Sequence, residues 1–576
     1  MAESAPGGSN TPPPNQPKEL SMEKRLLLAF VLMAAVLFTT PYFFKSPNPP
    51  AKKRETVPPK TGSATPAGEG KTAVPAVTPE SPAAPASPAA AAQKEELFTI
   101  DTNVYRVTFS NKGAVVRSWL LKKYFTNGKP LELVNTASTV EFPFSLHFKV
   151  TPAADLANSL FVAHPEPDGL GISYDFSNGH VAVTKKFLFG KDSYKAKVST
   201  EVSQDGKPVP HSIEWRGGFG DAAVANPAMN TFALRYDATD GKLIKDAPKV
   251  AKEGPVTYSG NFAFAGIGDQ YFAACFMPPE GARSFETMTF SDTVPTTVAQ
   301  KAEPFVGTGI GGMPINKYDL FVGPKDTDIL QAVNPRLNTL IDYGWFSFLA
   351  QPLFLALHWT ADHLIHNYGW SIVLVTVLIN SLLFPLKISS MRSMKKMQAL
   401  QPQVQAINDK YKGISVRDPK AADKNTELMD LYKKNGVNPA GGCLPMALQI
   451  PFFIAFYKVL SVSIEMRGAS WMWVKDLSSV EALPIHILPI VMIVTQFFQQ
   501  KMTPTSATVD PNQQRMMMLM PLVFGFMFYN LPSGVVLYYL TSNLVGIAQQ
   551  VFFNKTVTTK DLPQPVAAGK KRNGKR

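Results

Sequence analysis

Cysteine is almost absent: two residues, Cys275 and Cys443, in a chain of 576. A disulfide-built scaffold is therefore excluded, and neither cysteine has the neighbours of a metal site. The orientation derived below puts the two in different compartments, so no bridge between them is expected. Charge is also scarce, at 18% of residues against roughly a quarter in ordinary soluble domains. Acids are the rarer sign, 44 against 57 bases, and the net charge of +13 suits anionic lipid, nucleic-acid phosphate or a basic tail. Missing motifs narrow the field further. Residues 96–328 contain no G-x-S-x-G, no phosphate-binding loop and no zinc-type spacing, so an enzymatic role is not expected there.

What is present is sharply divided. The averages of 45% hydrophobic and 11% aromatic conceal long apolar runs beside a Pro/Ala-rich tract. Residues 1–21 are polar and proline-rich, the composition of a disordered N-terminus. In 22–45, Met22-Glu23-Lys24-Arg25 leads into nineteen apolar or weakly polar residues, 26–44, with no A-x-A site close behind. That pattern reads as an uncleaved anchor and not as a signal peptide. Residues 46–95 (TPESPAAPASPAAAAQ and the like) form a semi-extended spacer. From 96 to 335, short β-branched and aromatic stretches recur between turn signals. Two of them flank Ser177-Asn178-Gly179-His180, a hairpin signal, and the whole reads as an antiparallel β-sandwich. Residues 336–368 are apolar and aromatic, broken by Pro352, and suit a helix at the membrane interface. Asp362, His363 and His366 there are read as interfacial polar groups, and no metal is expected.

Spanning segments follow at 369–386, 437–463, 483–502, 515–531 and 532–553, making six with the anchor. The fifth is short for a ~30 Å hydrocarbon core, which favours local thinning. Within 437–463, Pro445 and Pro451 free backbone carbonyls and Gln449 adds an amide, so this helix needs polar or protein neighbours on one side. Residues 387–434 carry eleven bases against five acids, the loop 465–481 two against three, and the tail after Phe553 seven against one. Basic segments stay in the cytoplasm. The hairpin 387–436, the loop 503–514 and the tail 554–576 are thus cytoplasmic, as is the N-terminus, while the β domain and the loop 464–482 are periplasmic. Met397, Leu400, Val404 and Ile407 follow heptad-like spacing, and a turn at 413–419 precedes Leu428 and Leu431, the pattern of two helices folded back on each other. Met391, Met394 and Met397 add a pliable apolar edge, facing either clients or the hairpin's own seam.

Asn438-Pro439-x-Gly441-Gly442-Cys443-x-Pro445 with Gln449-x-Pro451, and Leu531-Pro532-Ser533-Gly534-x-x-Leu537-Tyr538-Tyr539 with Ser542-Asn543-Leu544, closely resemble the YidC membrane-protein insertases. Asp342-Tyr343-Gly344-Trp345, Met394-x-x-Met397-x-x-Leu400-Gln401-Pro402, Gln500-Lys501-Met502-x-Pro504 and Ala265-Gly266-Ile267 with Tyr271-Phe272 fit the same pattern. The resemblance covers residues 22 to about 553. It implies a multi-span α-helical membrane protein, with a five-helix insertase core plus an N-terminal anchor helix and a large periplasmic antiparallel β-supersandwich. The location it implies is the inner membrane of a Gram-negative bacterium. It further implies a groove open to cytosol and lipid, where a client's hydrophilic end pauses while its apolar segment slides into the bilayer. No ATP, cofactor or metal is implied. Thr376, Gln449, Phe453, Met492, Met527 and Tyr539 match groove or slide positions. Four residues after Thr376 the family usually has arginine; here Asn380 stands, with Lys387 ~10 Å further along a continuous helix. The implied partners are nascent or newly made membrane proteins, the Sec translocon with its accessory subunits, the lipid bilayer and the ribosome. For the ribosome, Lys570, Lys571, Arg572, Lys575 and Arg576 offer a cationic end.

Two other classes share some of these features. A secondary transporter or channel would also have polar residues in broken helices, but the five core spans hold no Asp or Glu for ion coupling. A tethered periplasmic enzyme or sugar-binding protein needs only one anchor.

Overall fold

The structure, a computed structural model, describes residues 90–222, 224, 227–279, 281, 283–295, 302–411, 420–437, 444–503 and 511–556. The expected N-terminal anchor, most of the spacer, the hairpin turn at 413–419, Cys443 and the basic tail from 557 lie outside these residues.

The β domain is built from antiparallel pairs in two sheets, one of four strands and one of fourteen. Its spacer joins earlier than the composition suggests: Ala90 already bridges to Ser177, and Glu95 accepts from Ser110 Oγ at 2.7 Å. The expected hairpin is present, with Gly171–Ser177 paired to Val181–Phe189 and Gly179 at φ +88 in the turn. Strict alternation along Val181–Phe189 sends every second side chain inward. The inward faces meet in an aromatic core where Trp119, Phe144, Phe187 and Trp215 are almost wholly buried. Ala265-Gly266-Ile267 lies in the strand Val256–Gly268, paired to Phe272–Met277. A Cβ on Gly266 would fall 1.9 Å from the Ala274 carbonyl oxygen, a backbone atom that has nowhere to go. Only glycine fits. Cys275, on the neighbouring strand, is free and buried.

A lysine, Lys185, is buried in this core. The Lys185 ammonium donates to the carbonyls of Gly113, Phe144 and Ala114 at 2.7, 2.8 and 3.1 Å. Three acceptors match its three donors, yet burial pushes the group down to about 7. An unfolded lysine titrates near ~10.4. From about pH 7 to ~10 the unfolded chain therefore binds the extra proton, and stability rises with pH across that window. Melts of the wild type and Lys185→Met at both ends of the window check this: the advantage of the wild type should grow as the pH is raised. A constant difference would mean that Lys185 keeps its ordinary value.

Beyond the last strand the chain turns helical. Helix α1 (Thr327–Val333) is capped by Asp326, whose carboxylate accepts from the backbone of Asp328 and Ile329. Asp342-Tyr343-Gly344-Trp345 forms the next corner: Gly344 has φ +68, and Asp342 accepts its N–H at 2.8 Å. Then come α2 (Ser347–Thr360) and a π-helical turn, Ala361–Ile365. A bend of 118° separates this piece from α3 (Tyr368–Leu382). One face of α2 packs through Ala350, Leu353, Phe354 and Leu357, while Phe348, Leu355 and Trp359 stay exposed. Both faces are thus apolar, one packed on protein and one left open.

The segment expected to span 369–386 breaks at Leu383, and α4 (Phe384–Ala399) restarts with Pro385 in its first turn. Proline lacks the N–H that would continue the ladder but fits a helix start. Pro402 does the same for α5 (Gln401–Lys410). Helix α6 (Lys420–Lys434) folds back on α5, and Met397, Leu400 and Val404 pack against Leu428, Tyr432 and Val437. Met397 is thus part of the hairpin's own seam; Met391 and Met394 remain half-buried. The bundle is completed by α7 (Leu444–Val462), α8 (Ile487–Met502), α9 (Pro511–Phe528) and α10 (Ser533–Thr556). Helix α7 runs through Pro451 without a break. Among the described residues only α10 is by itself long and apolar enough to cross a membrane; α2 and α3 pass together as a bent pair, and the apolar pieces of α7 and α9 are shorter.

Candidate functional site

Helix α10 carries an unusual stripe for an apolar helix. Ser542 and Gln549, two turns apart and so on one face, are both buried. Thr376 and Asn380, one turn apart on α3, are buried opposite them. Asn380 Nδ2 donates to the Thr376 carbonyl at 2.9 Å and reaches Ser542 Oγ at 3.4 Å. Gln449 Nε2, from α7, lies 3.4 Å from the same Ser542 Oγ. Gln549 Nε2 donates to the Asn380 carbonyl at 2.9 Å. Lys387, on α4, reaches back, and its ammonium donates to Asn380 Oδ1 at 2.7 Å. Three oxygens of the helical bundle, Thr376 Oγ1, Gln496 Oε1 and Gln549 Oε1, are buried with no protein partner among the described residues.

An aromatic layer adjoins this polar one. Phe453 of α7 stands with its ring centroid 5.8 Å from Phe528 of α9 and 6.1 Å from Tyr539 of α10. Phe528 and Tyr539 are 4.9 Å apart, and Met527 is half-buried beside them. Tyr539 Oη accepts from Gln496 Nε2 at 3.4 Å. Met492 of α8 is fully buried in the bundle core, and its carbonyl takes the Asn543 amide at 3.4 Å.

The seven residues expected from the sequence therefore sort into two layers. Thr376, Asn380 and Gln449 share the polar layer; Phe453, Met527 and Tyr539 share the aromatic one, while Met492 is core packing behind them. The face of Thr376 and Asn380 is turned into the bundle and bonded to protein. Sequence reasoning quoted Ser542 as motif but gave it no role, and missed Gln549 and Gln496. Their signal was available: buried-face amides and a hydroxyl in an apolar helix.

Two family models match the chain, one described as the YidC periplasmic domain over residues 97–356 and one as the 60Kd inner membrane protein over residues 359–560. A membrane protein insertase YidC from Syntrophus aciditrophicus is 34% identical over 560 residues, covering 93% of this chain and all of that one. The chain belongs to the YidC family. A second relative of the same name, from Citrifermentans bemidjiense, is also 34% identical, with 93% of this chain covered and all of the relative. Among solved structures, an active YidC insertase with its first transmembrane domain resolved covers 80% of this chain and 93% of its own, at 21% identity and a TM-score of 0.35. Family membership rests on the sequence relatives. As a YidC-family member the chain is an inner-membrane protein with a periplasmic domain, and the β-sandwich followed by C-terminal helices is the family's arrangement.

Proposed function

We propose that this chain is a membrane protein insertase, and that the polar layer around Ser542 is where a client's hydrophilic end is received. The observation that carries the reading is that layer itself. Four helical elements (α3, α4, α7 and α10) direct amides, hydroxyls and one ammonium into a single seam of an otherwise apolar bundle. Buried oxygens without protein partners suit a place that takes water or a client's backbone. Unpaired backbone groups cost several kcal/mol each in hydrocarbon. A polar seam shortens the dry distance they cross, so the step needs no nucleotide and no bond-breaking chemistry.

In this reading the seam opens to the cytosol and to lipid. The exposed apolar faces of α8 (Val491, Val494, Phe498) and α9 (Leu522, Val523, Phe526) support a slide for the apolar segment. Thr376, Asn380, Gln449 and Tyr539 contact the client's polar end, Phe453 and Met527 shape the adjoining wall, and Met492 supports it from behind. The basic hairpin 387–436 receives clients, the tail with Lys570, Lys571, Arg572, Lys575 and Arg576 meets the ribosome, and the Sec translocon is a neighbour for larger clients. All three rest on charge and orientation: the chain crosses the membrane several times with both termini in the cytoplasm.

Purified protein in nucleotide-free liposomes tests the function. A single-span client should become protease-protected at its translocated end without ATP. Passage of small solutes with no client inserted would instead favour a transporter or channel.

A further inference from the structure

Three side chains from separate elements converge where the β domain meets the helices, away from the polar seam. His358 lies near the end of α2, Asp362 one turn on in the π-helical turn, and Asp328 in α1. His358 Nε2 is 3.1 Å from Asp362 Oδ2 and 3.4 Å from Asp328 Oδ2. One ligand atom from each of the three lies within 4.8 Å of the others. Tetrahedral zinc, with bonds of ~2.0–2.1 Å, holds its ligand atoms about 3.3 Å apart. Two of the three edges already have that length. The other ring nitrogen, His358 Nδ1, is 3.0 Å from Tyr368 Oη. With Nδ1–H donating to that oxygen, Nε2 keeps the lone pair a cation needs, and the ring is held in place as outer partners hold metal-bound histidines.

Both carboxylates are reachable from solvent, the Asp328 and Asp362 side chains being 78% and 43% exposed. Among the described residues Asp328 and Asp362 have no basic partner but His358. One imidazole with two carboxylates suits zinc better than magnesium, which demands oxygens in an octahedron and keeps its waters.

We propose that Asp328, His358 and Asp362 form a divalent-cation site, best matched to Zn2+, that ties the exit of the β domain to the interfacial helix. From the sequence, Asp362, His363 and His366 read as interfacial polar groups with no metal expected. The structure separates them: the His363 ring stacks on Trp359, and His366 adopts φ 55 at the bend. The missing partners were His358, one turn before Asp362, and Asp328, brought in by the fold.

The test uses full-length protein in detergent, stripped with chelator, equilibrated with ZnCl2 and desalted. Wild type should retain one zinc per chain by elemental mass spectrometry and melt at a higher temperature with zinc than without. His358→Gln and Asp362→Asn should each weaken retention at least ~10-fold, the loss seen even for outer partners. His363→Gln, on the same helical segment, should retain zinc as the wild type does, and excess MgCl2 should not displace it. No zinc on the wild type, equal retention in His358→Gln, or loss in His363→Gln would overturn the site.

Discussion

Arg467→Met should weaken the junction between the β domain and the helical bundle by about 3–5 kcal/mol, the usual result of stranding one member of a buried ion pair. Arg467 follows α7 in the loop that faces the β domain, and its guanidinium pairs with Asp221; the side chains are 12% and 4% exposed. It also donates to Thr126 Oγ1 at 2.8 Å and to the Phe125 carbonyl at 3.2 Å. The rings of Tyr271 and Phe272 lie 5.6 Å away on either count. Methionine fills the space but leaves the Asp221 carboxylate buried without its cation. Adding Asp221→Asn should therefore return part of the loss, as a coupled pair requires. Thermal melts and limited proteolysis of the purified chain read both effects. The same short segment places Ile464 in the β-domain core and Met466 in the helical core, so it pins the two together. An unchanged melt would mean that Lys245 with Asp342, 2.8 Å apart, holds the junction instead.

Local pattern carried a good part of the architecture. Alternation found the β-sandwich, because a half-buried strand writes its burial into every second residue. Heptad spacing found the hairpin seam, since Met397, Leu400 and Val404 face Leu428 and Tyr432 whatever the intervening turn does. Motif glycines were visible as letters, but their reasons were not: Gly266 answers to a carbonyl on the next strand and Gly344 to its own φ. The site was half legible. Asn380 and Gln449 stood out as amides in apolar runs, yet Ser542, which joins them, is 162 and 93 residues away. No periodicity reports such a contact. The helix break at Leu383 was missed for a different reason: Pro385 lies in an apolar run, and hydropathy does not distinguish a proline that ends a helix from one that starts the next.

Asn380→Arg should slow insertion, although sequence alone expects it to be tolerated because arginine is the usual family residue there. In the structure Lys387 already brings an ammonium to 2.7 Å from Asn380 Oδ1. A guanidinium added beside it meets a like charge, and two such charges ~4 Å apart repel by about 4 kcal/mol at an effective dielectric of ~20. Relaxation of both long side chains will reduce that; a slowing on the order of tenfold corresponds to about 1.4 kcal/mol on the barrier. Asn380→Arg combined with Lys387→Leu removes the clash and leaves one cation in the seam, so it should insert faster than Asn380→Arg alone. Asn380→Leu fails differently. It takes away the acceptor of Lys387 and the donor to Ser542, and should slow most the clients whose translocated ends are polar or acidic. Insertion rates in liposomes, measured for one client with an acidic and one with a neutral end, separate these cases. If Asn380→Arg inserts both clients at the wild-type rate and Lys387→Leu adds nothing, the seam does not hold its charge at Lys387, and Asn380 serves only to pack α3 against α10.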